Sequence, residues 1–492
     1  MNAEHPNSAG PSRARRQAAR RAILRRGIVS TVVVSLGMAV LLIGFPEPAS
    51  EKRPALPGSA TAVTLPVRYK QDGDLGPMHR AVWEVLFPAA DGPEPDPAAM
   101  AAAISGLGEG AIPPVIGLLC GVLHGPEFVP GTTDRPIHPR ALAARDQVLL
   151  ASLAALPEES VMREVRWLAA DVPEAERLAA VGLLGRLATP TAQAAIFDVL
   201  ESLGAELLSA ENVSQVAEQA LLACMRAHPA HCAAMARRSE KAGAQVTAIM
   251  VRSAGRLGGP GGARLLAGLL GRNAALDRVV LHELSRVLET SSAALSDVHR
   301  AEVRRLVFQG KGEVVRAALV VAGRVCDRAA FDDIAARLED EDRLIAAAAR
   351  WSLASMARVD LGKERAAWEA WFRDQEEWWE LEGEPLVEGL EGLDPAAFRD
   401  ATAQLAGRPL FRNELAPMLG PLILLPDGTR GALALAALER LGSPHGIPWL
   451  IQALGLEDGR RDTALALLRA WTGLDLGDDA AAWTRAVLLD LP

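Results

Sequence analysis

Four segments of this chain align with one another without gaps, and that repetition constrains the fold more than any other feature. They are GRLATPTAQAAIFDVL (185–200), GRLGGPGGARLLAGLL (255–270), GRVCDRAAFDDIAARL (323–338) and ERLGSPHGIPWLIQAL (439–454). Each carries an arginine at its second position, Arg186, Arg256, Arg324 and Arg440, and each closes on a leucine, Leu200, Leu270, Leu338 or Leu454. The arginines are 70, 68 and 116 residues apart, close to two, two and three units of about 35–40 residues. A unit of that size cannot bury an apolar face alone and must stack on copies of itself. Ala, Leu, Arg and Glu dominate, with apolar residues at i, i+3, i+4 and i+7. The expectation is an all-α solenoid of helix pairs.

The junction within each unit fits helix chemistry. Thr189, Gly259 and Ser443 precede Pro190, Pro260 and Pro444, the pattern of an N-cap followed by proline in the first turn. The arginine before the turn sits at the end of the preceding helix, where a cation offsets the negative end of the helix dipole. The third copy has Asp327-Arg328 and no proline.

A second repeat lies further on. Asp360-Leu-Gly, five residues, then Trp368 matches Asp475-Leu-Gly, five residues, then Trp483. Asp360 and Asp475 are 115 apart, against 116 for Arg324 and Arg440, so the C-terminal half reads as a tandem duplication of a block of that length.

These residues resemble those of bacterial HEAT-like (armadillo-type) repeat proteins. The runs EAERLAAVGLLGRL (174–187) and DEDRLIAAAARWSL (340–353) have the form of the second helix of such repeats, and the Asp-Leu-Gly-x5-Trp ending is similar to the close of HEAT segments in large bacterial envelope proteins. The resemblance spans about residues 100–490, with 78–100 and 373–430 fitting poorly. It implies a helical solenoid that binds other proteins, since only a minority of such arrays are enzymes.

Charge and hydropathy bear on location. Residues 1–27 hold seven arginines and one acid, a net of +6, while the whole chain is −9; the remainder therefore carries −15. Ile28–Phe45 is uncharged and free of proline, and as a helix it would span roughly 27 Å, close to the apolar thickness of a bilayer. Every flanking arginine precedes it, so the positive-inside rule puts the N-terminus in the cytoplasm and the bulk of the chain across the membrane. A cleaved signal peptide is the rival reading; the length of the run and the poor cleavage site after it favour a single-pass anchor in the inner membrane. The expected organisation is a basic tail (1–27), a signal-anchor (28–45), a proline-rich linker (46–77), an N-terminal array (78–310) and a C-terminal array with the duplication (311–492). Basic charge confined to the tail argues against a nucleic-acid partner.

Few residues suggest chemistry. The stretch 124–140 brings together His124, Glu127, Asp134, Arg135 and His138, a possible acid–base or metal set, or a proline-stiffened loop that meets a partner. Cys224, His228, His231 and Cys232 lie within nine residues. They can be read as a zinc set, as a small-loop disulfide between the cysteines, or as turn residues with buried thiols; the spacing matches no familiar zinc knuckle. Cys120 and Cys326 read as core.

The aligned arginines can grip an acidic peptide or cap helix ends and pair with nearby acids; with five lysines among 52 basic residues, their abundance reads as compositional bias. Trp368 and Trp371 share one helix face. The adjacent Trp378 and Trp379 cannot both turn to that face on a regular helix, which leaves one for a partner. The glycines at 106–110 and 258–262 lack the Gly-Lys-Ser/Thr of a phosphate loop, and neither Gly-x-Ser-x-Gly nor His-Glu-x-x-His occurs. The expected function is a membrane-tethered, non-catalytic scaffold for a protein partner, with no cofactor. The alternative is an envelope enzyme or metal-binding protein that uses 124–140 or 224–232.

Overall fold

A computed structural model describes residues 77–88, 96–120, 139–170, 174–203, 205–228, 232–239 and 242–487. The chain divides into two units, Met1–Thr64 and Leu65–Pro492, and every described residue belongs to the second. The basic tail, the apolar run 28–45 and nearly all of the proline-rich linker thus lie outside the described residues. Among those described, no single helix is long and apolar enough to cross a membrane.

The described residues form helices and connections, without a strand. In order they are α1 (Pro77–Leu86), α2 (Pro97–Gly106), α3 (Ile112–Leu119), α4 (Pro139–Ala154), α5 (Glu158–Ala170) and α6 (Glu174–Leu187). Next come α7 (Pro190–Ser202), α8 (Ala205–Leu208), α9 (Glu211–Ala227), α10 (Cys232–Ser239), α11 (Ala244–Leu257) and α12 (Gly259–Ala267). They continue as α13 (Ala274–Thr290), α14 (Asp297–Gln309), α15 (Glu313–Val325), α16 (Phe331–Ala336), α17 (Arg343–Ala357) and α18 (Arg365–Trp378). The last are α19 (Glu384–Gly389), α20 (Pro395–Ala406), α21 (Arg412–Leu419), α22 (Gly428–Leu441), α23 (Ile447–Ala453), α24 (Gly459–Thr472) and α25 (Ala480–Val487).

Packing follows the repeat. One layer stacks α6, α9, α11, α13, α15 and α17 in succession, and the pairs α6–α7, α11–α12, α14–α15 and α16–α17 tie it to a second layer. The stripe in α15 is typical: Val315, Ala318, Leu319 and Ala322, at i, i+3, i+4 and i+7, are all fully buried. The boundary expected at 310/311 falls in the connection between α14 and α15, which pack directly on each other.

Glycine sets the closest helix crossings. A Cβ at Gly185 in α6 would sit 2.5 Å from the Cα of Ala220 in α9, and one at Gly323 in α15 would sit 2.7 Å from the Cα of Ser352 in α17. Both are the first residue of the aligned Gly-Arg segments, so the repeat marks where backbones touch.

The N-cap expectation holds at Thr189, whose Oγ1 accepts from the Ala192 amide at 3.1 Å, and Ser443 accepts from the amide of His445 at 3.3 Å. In the second copy the cap is Gly258 rather than Gly259, in the left-handed region at φ +65°. Asp327 caps nothing with its side chain; it is buried and takes both oxygens to Arg304 Nη1 at 2.8 Å.

The sequence implies an open array in which each unit meets only its neighbours. The structure departs from this. The last repeats lie back against the middle of the array, α25 against α12. The amide of Ser292 donates to the carbonyl of Trp471, Arg264 donates to the carbonyl of Val487, and Asn413 Nδ2 donates to the carbonyl of Val325 at 2.8 Å. Small rotations between successive units accumulate over this length until distant units meet.

Candidate functional site

The repeat arginines act in register. Arg186 pairs with Asp146 at 2.9 Å, Arg256 with Glu218 at 3.0 Å and Arg324 with Glu289 at 3.5 Å, each acid lying 40, 38 or 35 residues earlier, about one unit back. These pairs join consecutive units instead of presenting a free cationic spine. Arg440 is exposed and makes no ion pair among the described residues.

Arginine abundance also has a structural reason that composition hides. Arg337 donates to the carbonyl of Val307 at 2.9 Å, Arg358 to Leu441 at 2.7 Å, Arg430 to Leu393 at 2.6 Å and buried Arg460 to Ile423 at 2.6 Å. Each carbonyl lies in another element, at or near the end of a helix. A rigid fork of donors can satisfy two such groups at once, which the single ammonium of lysine does less well. These arginines act as helix-end caps.

The duplicated motif is a small structural device, built the same way twice. Asp360 accepts from the Gly362 amide at 2.9 Å and from Arg350 at 3.0 and 2.5 Å, and the Gly362 carbonyl accepts from the Trp368 indole N–H at 2.8 Å. In the second copy Asp475 accepts from Gly477 at 3.3 Å and from Arg469 at 2.8 Å, and the Gly477 carbonyl accepts from Trp483 at 2.8 Å. Both indoles are fully buried. The paired arginines hold both aspartates below the usual carboxylate range.

The adjacent tryptophans both reach one aromatic partner. Trp378 is 7% exposed and Trp379 is half-buried, and both meet Phe411, Trp379 stacked on it at 4.7 Å and Trp378 at 6.1 Å. A π-helical turn at Trp379–Gly383 follows directly. Arg408 lies 4.1 Å over the Trp378 ring and Arg328 lies 5.2 Å over Phe411, so the cluster joins α18 to the segment that opens α21.

His124, Glu127, Asp134, Arg135 and His138 lie outside the described residues, as does His231. Cys224 on α9 is a free, fully buried thiol whose pKa burial pushes up to about 11. His228 caps the end of α9 and Cys232 opens α10. Among the described residues no group of three metal-ligating side chains comes together. Cys120 is half-buried and Cys326 is buried in the core, the latter raised to about 11.

The surface that sequence reasoning missed is a groove across α13, α15 and α17, with a volume of about 660 Å³. Val279, Ala317, Val320, Leu344 and Ala348 form its apolar floor and wall, and Arg278, Arg316, Glu313 and His282 rim it. Leu344 is 57% exposed and Trp351 is 38% exposed, so Leu344, Ala348 and Trp351 place a second apolar stripe on α17. The opposite face of that helix is buried through Ile345, Ala349, Leu353 and Met356. The signal was present: RLIAAAARWSLASMA is apolar on both faces, more than one buried seam requires.

No protein-family model and no curated protein sequence matches the chain. Among solved structures it is similar to a Kap121p mutant at 9% identity and TM-score 0.33, over 80% of this chain and 49% of that one. It is also similar to importin beta at 12% identity and TM-score 0.28, over 80% of this chain and 51% of that one. A structure from work on the cadherin–beta-catenin interaction overlaps at 12% identity and TM-score 0.27, over 83% and 94% of the two chains. The chain thus spans about half the length of the first two. The helical-repeat architecture stands on the packing described above.

Proposed function

We propose that this protein is a membrane-tethered helical-repeat scaffold that holds a protein partner and performs no chemistry of its own. The observation that carries this reading is the groove on α13, α15 and α17, where Leu344 stays exposed on a helix already buried along its other face, with Trp351 exposed two turns further along the same helix. Aliphatic and aromatic side chains left in water at a concave, charge-rimmed site are the chemistry of a protein anchor point. The fitting partner element is a helix or extended segment that places apolar side chains into the groove. The run Ile28–Phe45 behind a seven-arginine tail supports tethering in the inner membrane, with residues 46–492 on the extracytoplasmic side.

The test compares the full-length protein with its Leu344→Glu variant, each crosslinked in native membranes and purified. Leu344 contributes nothing to the buried core, so the variant should melt within about 0.5 kcal/mol of the parent. A discrete protein recovered with the parent and lost from the variant supports the reading. Equal recovery from both would place the binding surface elsewhere.

A further inference from the structure

A second, smaller cavity lies where distant repeats meet. It has a volume of about 200 Å³, and its walls come from the connection after α13, the ends of α15, α17 and α22, and the start of α21. Three arginines line it: Arg324, Arg358 and Arg412. We propose that this cavity binds a small phosphoryl oxyanion, held by Arg324, Arg358 and Arg412, and that the bound anion fastens the end of the array to its middle.

The charge balance of the cavity points to such a ligand. The body of the protein is strongly acidic, yet among the described residues no carboxylate pairs with Arg358 or Arg412. Arg358 donates to the carbonyls of Arg440 and Leu441 at 2.5 and 2.7 Å, and Arg412 to those of Met356 and Pro409 at 3.2 and 3.1 Å. These acceptors are neutral. They account for part of each fork and leave its charge in place. Among the described residues Arg324 is offset by Glu289 at 3.5 Å, whose side chain is 63% exposed, and by the face of Trp351 at 5.3 Å. Its Nε is buried without a hydrogen-bond acceptor.

Helix ends reduce the excess without removing it. The C-termini of α13, α15, α17 and α22 border the cavity, each worth roughly half a negative charge when unscreened. Three full positive charges, with Arg440 adding a fourth nearby, leave a net positive centre. Consistent with this, burial, with the nearby charges of Arg412 and Arg440 adding to it, lowers the pKa of Arg358. A Cβ at Gly442 would lie 3.3 Å from Arg358 Nη2, so that guanidinium lies against the end of α22.

Geometry selects the class of anion. The three arginines come from three different elements, the ends of α15 and α17 and the start of α21. A planar carboxylate offers two oxygens to one fork, whereas a tetrahedral phosphoryl group offers three faces to three forks. Because Ser292 and Ala293 line one side and Gly442 and Pro444 the other, a ligand there bridges units about 150 residues apart in sequence. It acts on the closure of the array, separately from the groove on α13, α15 and α17, so failure of either proposal leaves the other standing.

The probe is inorganic phosphate, titrated calorimetrically into the full-length protein at constant ionic strength with chloride as the control. Saturable 1:1 binding is expected, with a higher melting temperature in phosphate than in chloride. Arg324→Gln should weaken binding about tenfold or more, because a charged donor group is lost. Unlike Arg358 and Arg412, Arg324 donates to no backbone carbonyl among the described residues, and its ion pair to Glu289 is loose at 3.5 Å, so this variant should melt close to the parent in phosphate-free buffer, and Arg324→Lys should recover only part of the affinity. If the parent shows no saturable phosphate binding, or if Arg324→Gln binds as well as the parent, the proposal is wrong.

Discussion

The two tryptophans of the duplicated motif offer a quantitative test of how the C-terminal repeats are held. Replacing Trp368 by Phe removes part of an indole that is fully buried and takes away the donor to the Gly362 carbonyl at 2.8 Å. The lost ring surface is about 60 Å², worth roughly 1.5 kcal/mol at about 25 cal/mol per Å². The lost hydrogen bond adds about 1 kcal/mol, since Gly362 is only half-buried and water can reach its carbonyl. The sum is about 2.5 kcal/mol. Trp483→Phe breaks the same contact to Gly477 and should cost a similar amount.

Repeat arrays open locally, so the right assay is hydrogen exchange read by mass spectrometry on the full chain. Trp368→Phe should speed exchange in α17 and α18 by about 30- to 150-fold, as 2–3 kcal/mol implies. Trp483→Phe should do the same in α24 and α25, each with little effect on the other block. A change below about threefold in either block would refute the reasoning, as would one variant loosening both blocks equally.

Three further outcomes follow from the packing. Gly323→Val should destabilise by about 2–3 kcal/mol in chemical denaturation, because its Cβ meets the Ser352 backbone at 2.7 Å and two helices must separate. Arg304→Met strands the buried Asp327 carboxylate and should cost about 3 kcal/mol, while adding Asp327→Asn should recover much of that; a double-mutant cycle by thermal melting reads it. His445 sits beside Arg300 and Asp297 with its pKa lowered chiefly by burial, so the folded state takes up its proton later than the unfolded chain does. Its contribution to stability is therefore present above the ordinary histidine value and is lost as pH falls below it, and the melting temperature between pH 7 and 5 should fall less steeply in His445→Gln.

What could be read in the sequence was what repeats locally. Gly-Arg at 185 and 323 and Asp-Leu-Gly-x5-Trp at 360 and 475 marked the units because the same residues close the same short contacts each time. What could not be read depends on accumulated or irregular geometry. The meeting of Arg264 with Val487 spans 223 residues and arises from many small rotations, none visible in one repeat. Trp378 and Trp379 meet on Phe411, which comes from a segment about thirty residues on and is not visible in the helix itself. The arginine forks looked like bias because their partners are backbone carbonyls, which leave no trace in composition.

The central claim is that a protein partner seats in the groove on α13, α15 and α17. It is tested most directly by placing a photoreactive phenylalanine analogue at position 344 of the full-length protein in native membranes. The same analogue at Met418, which is 42% exposed on α21 away from the groove, serves as the reference. A single discrete adduct from position 344, absent from position 418, is the predicted result. No adduct at 344, or the same adducts from both positions, would contradict the account.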